Sequence, residues 1–262
     1  MDIWRWVYDE QVKLEASGNT ALLEAMNSIA NLTCNDKHDK IDAMYPMALS
    51  LARKHANPWI EVYMRHWYLQ SQVLHRHNAK GMVSEAIDLL DFSSADNTKD
   101  CPQSICAVQD LASCYGKSDG PGFVEERIAV CQETLKRITP AWPCFDCINT
   151  EYNQALLDAK QYDKVLSEIQ LQRAAILKAG GDLHCGPFKI EETVALTAMN
   201  RFDEAEAVII TAHNAAAGSS FLRYKSALLA IIYAHQGRFE EASEQVLPFD
   251  QVLDAHAHFA AW

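Results

Sequence analysis

The chain has 262 residues, of which 49% are apolar and 22% charged, with a net charge of −12. This composition excludes disordered and collagen-like chains, and the negative charge opposes binding to nucleic acid or to anionic membranes. The N-terminus is interrupted by Asp2, Arg5 and Asp9, and the longest apolar run, 227–234, is too short to span a bilayer. We therefore expect a cytoplasmic protein with reduced cysteines.

Apolar residues recur at intervals of three and four along almost the whole chain, and no segment alternates strictly between apolar and polar residues. This periodicity predicts an all-α fold. Glycines and prolines divide the chain into thirteen predicted helices: 2–17, 20–33, 39–55, 58–77, 82–93, 103–117, 123–138, 145–160, 162–178, 187–199, 202–216, 220–236 and 239–257. The polar segment 93–103 is predicted to be a mobile loop.

One pattern opens the second helix of successive pairs. It is an apolar residue, a small residue three positions later, and an apolar residue four positions after that. The first positions of the pattern are Tyr45, Val83, Val124, Tyr162, Phe202 and Phe239. The second positions are Ala48, Ala86, Arg127, Val165, Ala205 and Ala242, with Arg127 as the misfit. A near-constant period of this length indicates a repeat protein.

The motifs NRFDEA at 200–205 and GRFEEA at 237–242 resemble the second half of the tetratricopeptide repeat. The resemblance implies a right-handed α-α superhelix of about six helical hairpins, a TPR-like solenoid. It also implies a single helical-repeat domain over 1–262, with divergent helices in 1–80 and clearer repeats in 81–262. The aromatic residues Tyr162, Phe202 and Phe239 are expected to fill the gaps between repeats.

A solenoid of this kind offers a concave groove lined by the first helix of each pair. The resemblance implies that two positions per first helix face the groove. The positions given by this frame are Ser71, His75, Thr150, Gln154, Ile190, Val194, Ala227 and Ile231. Tyr68, on the same helix as Ser71, is the ninth predicted partner-binding residue. The Lys and Asn residues with which some family members clamp a terminal carboxylate are absent from these positions. The groove is apolar towards its C-terminal end, which favours an amphipathic helix or an extended peptide with apolar anchors.

Predicted helix 58–77 combines aromatic and basic residues. Trp59, Tyr63 and Trp67 are spaced to form one buried stripe, and we interpret them as core. The alternative is a binding helix for a peptide carboxylate, a nucleotide base or an acidic partner. Under either interpretation Tyr68, Ser71 and His75 lie outside the stripe.

The cysteines allow two interpretations. Cys144 and Cys147 form a C-x-x-C motif, and the repeat period brings His184 and Cys185 to the same edge, which predicts a structural zinc site. No second C-x-x-C or paired-histidine motif completes the set, so the alternative is a group of small buried core residues. The core candidates are Cys106, Cys114, Cys131 and Cys147.

No nucleophile elbow, zinc-protease helix or phosphate-binding glycine loop occurs in the sequence, so we do not expect an enzyme or a cofactor other than zinc. The predicted function is a scaffold or regulatory module that binds a protein or peptide through its groove. The alternative is a zinc- or thiol-dependent sensor with a Cys/His edge between repeats. The apolar C-terminal segment HAHFAAW predicts self-association through the last helix.

Overall fold

The computed structural model describes residues 2–142, 144–183, 188–212 and 219–246. Over these ranges the protein contains thirteen α-helices and one π-helical turn, and it contains no strand. The all-α prediction is confirmed. No helix within the same ranges is both long enough and apolar enough to cross a bilayer.

The helices follow the predicted order closely. They are α1 (Ile3–Ala16), α2 (Thr20–Cys34), α3 (His38–Lys54), α4 (Trp59–Gln70), the π-helix (Ser71–His75), α5 (Ala79–Ser93), α6 (Ser104–Gly116), α7 (Val124–Leu135), α8 (Phe145–Asp158), α9 (Tyr162–Lys178), α10 (Lys189–Ala198), α11 (Phe202–Ile210), α12 (Ser219–His235) and α13 (Phe239–Gln245). The predicted helix 58–77 is thus divided, because its last turns are π-helical. The predicted continuations of α11 to 216 and of α13 to 257 are wrong at residues 211, 212 and 246, which are described and not helical. The remaining residues, 213–216 and 247–257, lie outside the described ranges.

The repeated sequence motif has a structural counterpart at the turn inside each helical pair. Lys160, Asn200 and Gly237 precede α9, α11 and α13 by two residues, and their φ angles are 56°, 59° and 76°. The amide after each of them donates a 2.9 Å hydrogen bond to the carbonyl five residues earlier. This bond and the left-handed residue form a Schellman turn, which favours a glycine or an asparagine. The glycine and asparagine at the start of two of the motifs therefore suit the backbone conformation, which Lys160 adopts without being a glycine or an asparagine.

The chain forms two compact units, Met1–Ile148 and Asn149–Trp262, and the boundary falls within α8. In unit 1, α4 packs against α2, α3, α5 and α6. In unit 2, α10 packs against α9, α11 and α12, and α12 packs against α11 and α13. The helices α1 to α7 therefore contact their chain neighbours in unit 1, and α9 to α13 do so in unit 2. The single domain over 1–262 and the superhelix remain predictions.

The second position of the sequence pattern is buried in all six copies: Ala48, Ala86, Arg127, Val165, Ala205 and Ala242. Four of the six are alanines, because a small side chain lets paired helices approach closely. The misfit Arg127 is only 1% exposed. A Cβ at Gly116 would overlap the Arg127 guanidinium, so the absence of a side chain at Gly116 makes room for the larger residue.

One expectation about an individual residue is wrong, and the predicted loop 93–103 is anchored at several points. Phe239 is 71% exposed, so it does not fill a gap as predicted, whereas Phe202 packs against the core of unit 2. The polar segment 93–103 is held in place: Thr98 and Cys101 are fully buried, and the indole of Trp59 donates a hydrogen bond to the carbonyl of Asn97. The side chains of Thr98 and Lys99 are hydrogen-bonded within the protein, although the buried Gln103 Oε1 has no partner among the described residues. Composition alone does not reveal these contacts.

We predict that Ala205→Leu lowers the free energy of unfolding by about 1–3 kcal/mol, because Ala205 is fully buried in the core of unit 2 and the added carbons have no space. Urea unfolding followed by circular dichroism measures the change. Ala207→Leu is the matched control: it lies on the same helix, is exposed, and should change stability by less than about 0.5 kcal/mol. Equal effects of the two substitutions would contradict this packing.

Candidate functional site

The predicted binding residues fall on two surfaces, one in each compact unit. Tyr68, Ser71 and His75 lie in or beside a pocket of unit 1 that we call the α4 pocket. The α4 pocket is lined by Asp42, Tyr45, Pro46, Tyr68, Gln72 and Arg76. The other six predicted residues lie on three helices of unit 2 and form a surface that we call the first-helix face. It consists of Thr150, Gln154, Ile190, Val194, Ala227 and Ile231.

The core interpretation of the aromatic stripe of α4 is confirmed for Tyr63, whereas Trp59 and Trp67 are half-buried. Tyr63 is 1% exposed, and its ring centroid lies 6.0 Å from that of Trp6 on α1. Trp6 also contacts Trp59 at 5.9 Å, and Trp4 contacts Trp67 at 6.2 Å. Aromatic pairs at these distances stabilise the packing of α1 on α4. Because α1 packs on this stripe, the polar side of α4 remains as the candidate binding surface.

The π-helical turn changes the direction of the side chains that follow α4. The amide of Arg76 donates to the carbonyl of Ser71 over 3.1 Å, and the amide of Asn78 donates to the carbonyl of Gln72 over 2.9 Å. These wider hydrogen-bonded turns insert residues into the helical ladder and are frequent at functional sites. Here Gln72 and Arg76 are both directed towards Asp42 on α3.

Two histidines and an aspartate lie beside the π-helix. Asp36 Oδ1 lies 2.8 Å from Nδ1 of His75 and 3.6 Å from Nε2 of His38. Burial lowers the pKa of His38 below its usual value, and His75 and Arg76 act in the same direction, whereas Asp36 opposes them. His38 is therefore neutral at pH 7.

Ser71 does not fit its predicted role of contacting a partner, because it is fully buried. Its hydroxyl lies 2.9 Å from Nδ1 of His38, so it orients that ring. The contacts from Ser71 through His38 to Asp36 have the composition of a catalytic triad. A hydroxyl without exposed surface cannot attack a substrate, so Ser71 is not a nucleophile in this arrangement.

The α4 pocket has a volume of about 310 Å³ and combines an aromatic wall with an ion pair. Tyr45 and Tyr68 stack with their ring centroids 3.8 Å apart and their planes within 3°. Opposite charges lie beside them, since Arg76 Nη1 is 2.5 Å from Asp42 Oδ2. Burial raises the pKa of both tyrosines, so their hydroxyls stay protonated at neutral pH and can donate hydrogen bonds.

Sequence reasoning missed Asp42, Gln72 and Arg76 as site residues. One signal was available, because Tyr68, Gln72 and Arg76 are spaced by four and share a helix face. The contribution of α3 had no such signal, since nothing in the sequence shows which side of α3 faces α4. Only tertiary packing brings Asp42 to Arg76.

The first-helix face lies on α8, α10 and α12, which are the first helices of the three pairs in unit 2. All six predicted residues are half-buried, so each presents part of its surface. Gln154 of α8 donates to Glu191 of α10 over 3.3 Å, and α10 packs against α12. Ile190 also packs against the core of unit 2, which leaves Val194 and Ile231 as the principal apolar candidates for contact.

A buried carboxylate lies beside this face. Glu191 is 6% exposed, and its pKa is raised chiefly by burial, with a contribution from the nearby carboxylate of Glu151. The hydrogen bond from Gln154 opposes the rise. The neighbouring Glu192 is paired with Arg173 of α9 over 2.7 Å. The face therefore has an acidic margin beside its apolar residues.

The cysteines follow the core interpretation in part. The predicted core residues Cys114 and Cys131 are buried, whereas Cys147 is half-buried. Cys101, which was not predicted, is also buried, and burial raises the pKa of its thiol to about 12. Cys106 and Cys144 are disulfide-bonded, with Cα atoms 6.3 Å apart, whereas reduced thiols were expected. Two residues of the predicted zinc site, His184 and Cys185, lie outside the described residues. Where side chains are described, no group of three or more His, Cys, Asp or Glu residues could hold a metal ion.

Comparison of the chain with protein-family models, with curated proteins and with solved structures finds no match. The candidate sites therefore rest on their own geometry and chemistry.

We predict that Glu191→Gln makes the protein more stable at neutral pH. Because the folded protein raises the pKa of Glu191 above its ordinary value of 4.5, stability falls as pH rises from that value through the folded pKa. Glutamine carries no charge and can still accept the hydrogen bond from Gln154. Urea unfolding at pH 5 and pH 7.5 should show a larger gain over wild type at the higher pH.

The control for this prediction is Glu240→Gln on α13, where the side chain is exposed. It should change stability little at either pH. An unchanged or reduced stability of the Glu191→Gln variant at pH 7.5 would show that the carboxylate is not penalised by burial.

Proposed function

We propose that the chain is a cytoplasmic TPR-like scaffold or regulatory module that binds a protein or peptide along its first-helix face. The supporting observation is that three successive first helices of unit 2 each present two half-buried residues at the predicted positions. A row of equivalent positions on neighbouring helices is how helical-repeat proteins build an extended binding surface.

The chemistry of the face favours an amphipathic helix as the ligand. Val194 and Ile231 offer apolar contacts, and a helix lays its apolar residues into such a surface at intervals of three and four. Glu191 is buried and Glu192 is paired with Arg173, so the charge that favours a basic ligand is the net charge of −12 on the chain. Basic residues on the flanks of the ligand helix would therefore accelerate association.

The proposal can be tested with a displayed library of helical peptides that carry apolar anchors at i, i+3 and i+7 and basic flanking residues. Peptides selected on the wild-type chain are then titrated against a Val194→Glu, Ile231→Glu double variant. We expect the double variant to bind at least about tenfold more weakly, which corresponds to about 1.4 kcal/mol. The loss follows from placing two carboxylates against the apolar side of the ligand.

The matched control carries Leu177→Glu and Ile210→Glu, which add the same charges at exposed apolar positions on α9 and α11. It should bind like wild type. Circular dichroism must show that both variants remain folded. Equal affinity of the selected peptides for the double variant and wild type, or failure to select any peptide, would overturn the assignment of this face.

The disulfide between Cys106 and Cys144 favours a second candidate function, a thiol-dependent sensor. Counting thiols in unfolded protein, prepared with and without reductant, tests it. We expect two more titrating thiols after reduction. We also expect reduction to change the thermal stability of the wild type but not that of the Cys106→Ser, Cys144→Ser variant.

Zinc analysis of the same protein tests the metal-binding form of the sensor, for which we expect one equivalent of zinc per chain. Equal thiol counts together with less than half an equivalent of zinc would remove this candidate.

Self-association through the C-terminal helix falls on residues beyond 246, outside the described residues. It remains a prediction, and sedimentation of the full chain over a range of concentrations tests it.

A further inference from the structure

We propose that the α4 pocket binds a free α-amino acid in its zwitterionic form. The inference is independent of the proposed peptide binding, because the α4 pocket belongs to unit 1 and the first-helix face to unit 2. It rests on the charges, the hydrogen-bonding capacity and the aromatic wall of the six lining residues.

Arg76 supplies the binding group for the ligand carboxylate. Its side chain is 37% exposed, and Asp42 is the one hydrogen-bonding partner that it has among the described residues. A guanidinium carries five N–H donors in a planar fork, so several remain for a second carboxylate. The ligand can therefore bind Arg76 without displacing Asp42.

Asp42 supplies the binding group for the ligand ammonium. Its carboxylate is 41% exposed and has lone pairs beyond those used by Arg76 and Gln72. Pro46 lies four residues later inside α3 and has no N–H group, so the main-chain carbonyl of Asp42 lacks its usual helical donor. The free lone pairs of the Asp42 carboxylate thus offer acceptors to a group with three donors.

The pairing of opposite charges selects a ligand that carries both. An anion alone that binds Arg76 would approach the carboxylate of Asp42, and a cation alone that binds Asp42 would meet the guanidinium of Arg76. In a free amino acid one carbon separates the ammonium from the carboxylate, so its dipole can lie antiparallel to the Arg76–Asp42 pair. Both ligand charges are then matched in a chain whose net charge otherwise repels anions.

The stacked tyrosines supply the surface for the ligand side chain. Tyr45 is largely buried and supports Tyr68, which keeps one half-exposed face beside the ion pair. Pro46 adds an apolar surface on the α3 side. A volume of about 310 Å³ lies at the lower limit for ligand pockets and suits a single amino acid with a large apolar or aromatic side chain.

Calorimetric titration of the full chain with each of the twenty common L-amino acids tests the proposal. We expect at least one amino acid with a large apolar or aromatic side chain to bind. Its N-acetyl and carboxamide derivatives should each bind at least about tenfold more weakly, because each lacks one of the two charges. No binding at about 10 mM, where millimolar affinities are detectable, would overturn the proposal. Equal binding of the N-acetyl derivative would also overturn it.

Substitutions then locate the site. Arg76→Gln and Asp42→Asn should each weaken binding at least about tenfold. Arg201→Gln, which removes an exposed arginine paired with Glu204 in unit 2, should leave it unchanged. Arg76→Lys keeps the charge but not the planar fork, so it should weaken binding less than Arg76→Gln and serves if that variant does not fold. Binding unaffected by Asp42→Asn and Arg76→Lys would place the ligand elsewhere.

Discussion

The fold depends on close contact within helical pairs, which a tight turn and a buried small residue make possible. The turn requires a left-handed residue two positions before the second helix, and Lys160, Asn200 and Gly237 supply it with nearly the same hydrogen bond. Three residues into the second helix, a buried Val165, Ala205 or Ala242 lets the helices approach. Because turn and contact are set by residues close in sequence, each pair is specified locally, and packing between pairs builds on it.

The α4 pocket lies where the backbone departs from this regular arrangement of helical pairs. In unit 1 the helix after Gln70 becomes π-helical, and α3 contains Pro46. Both features interrupt the regular hydrogen-bond ladder, which costs stability unless other groups compensate. They lie on opposite sides of one pocket, where Asp42 accepts hydrogen bonds from Gln72 and Arg76. Irregular backbone therefore occurs beside Arg76 and Asp42, which keep donors and acceptors that could bind a ligand. This coincidence supports binding at the pocket.

The two candidate surfaces differ in what holds them in place. The α4 pocket is built from ion pairs and stacked rings with defined distances, so it suits a small ligand of fixed geometry. The first-helix face is a row of half-buried side chains supported by a buried network beneath it. In that network the amides of Asn153 and Gln172 exchange two hydrogen bonds between α8 and α9, at 2.8 and 3.0 Å. A rigid support under an apolar row suits a larger partner.

The sequence by itself determined the helices, their order and the repeated pair, because helical periodicity and turn residues act over a few positions. It also placed Tyr63 of α4 in the core and Trp59 and Trp67 on the same side of the helix, since side chains four residues apart share a face. Tertiary structure alone decided which side of α3 meets α4, why Ser71 is buried, and that Arg76 lies against Asp42. Those outcomes depend on the orientation in which helices pack, and that orientation is the sum of many small contacts between distant residues.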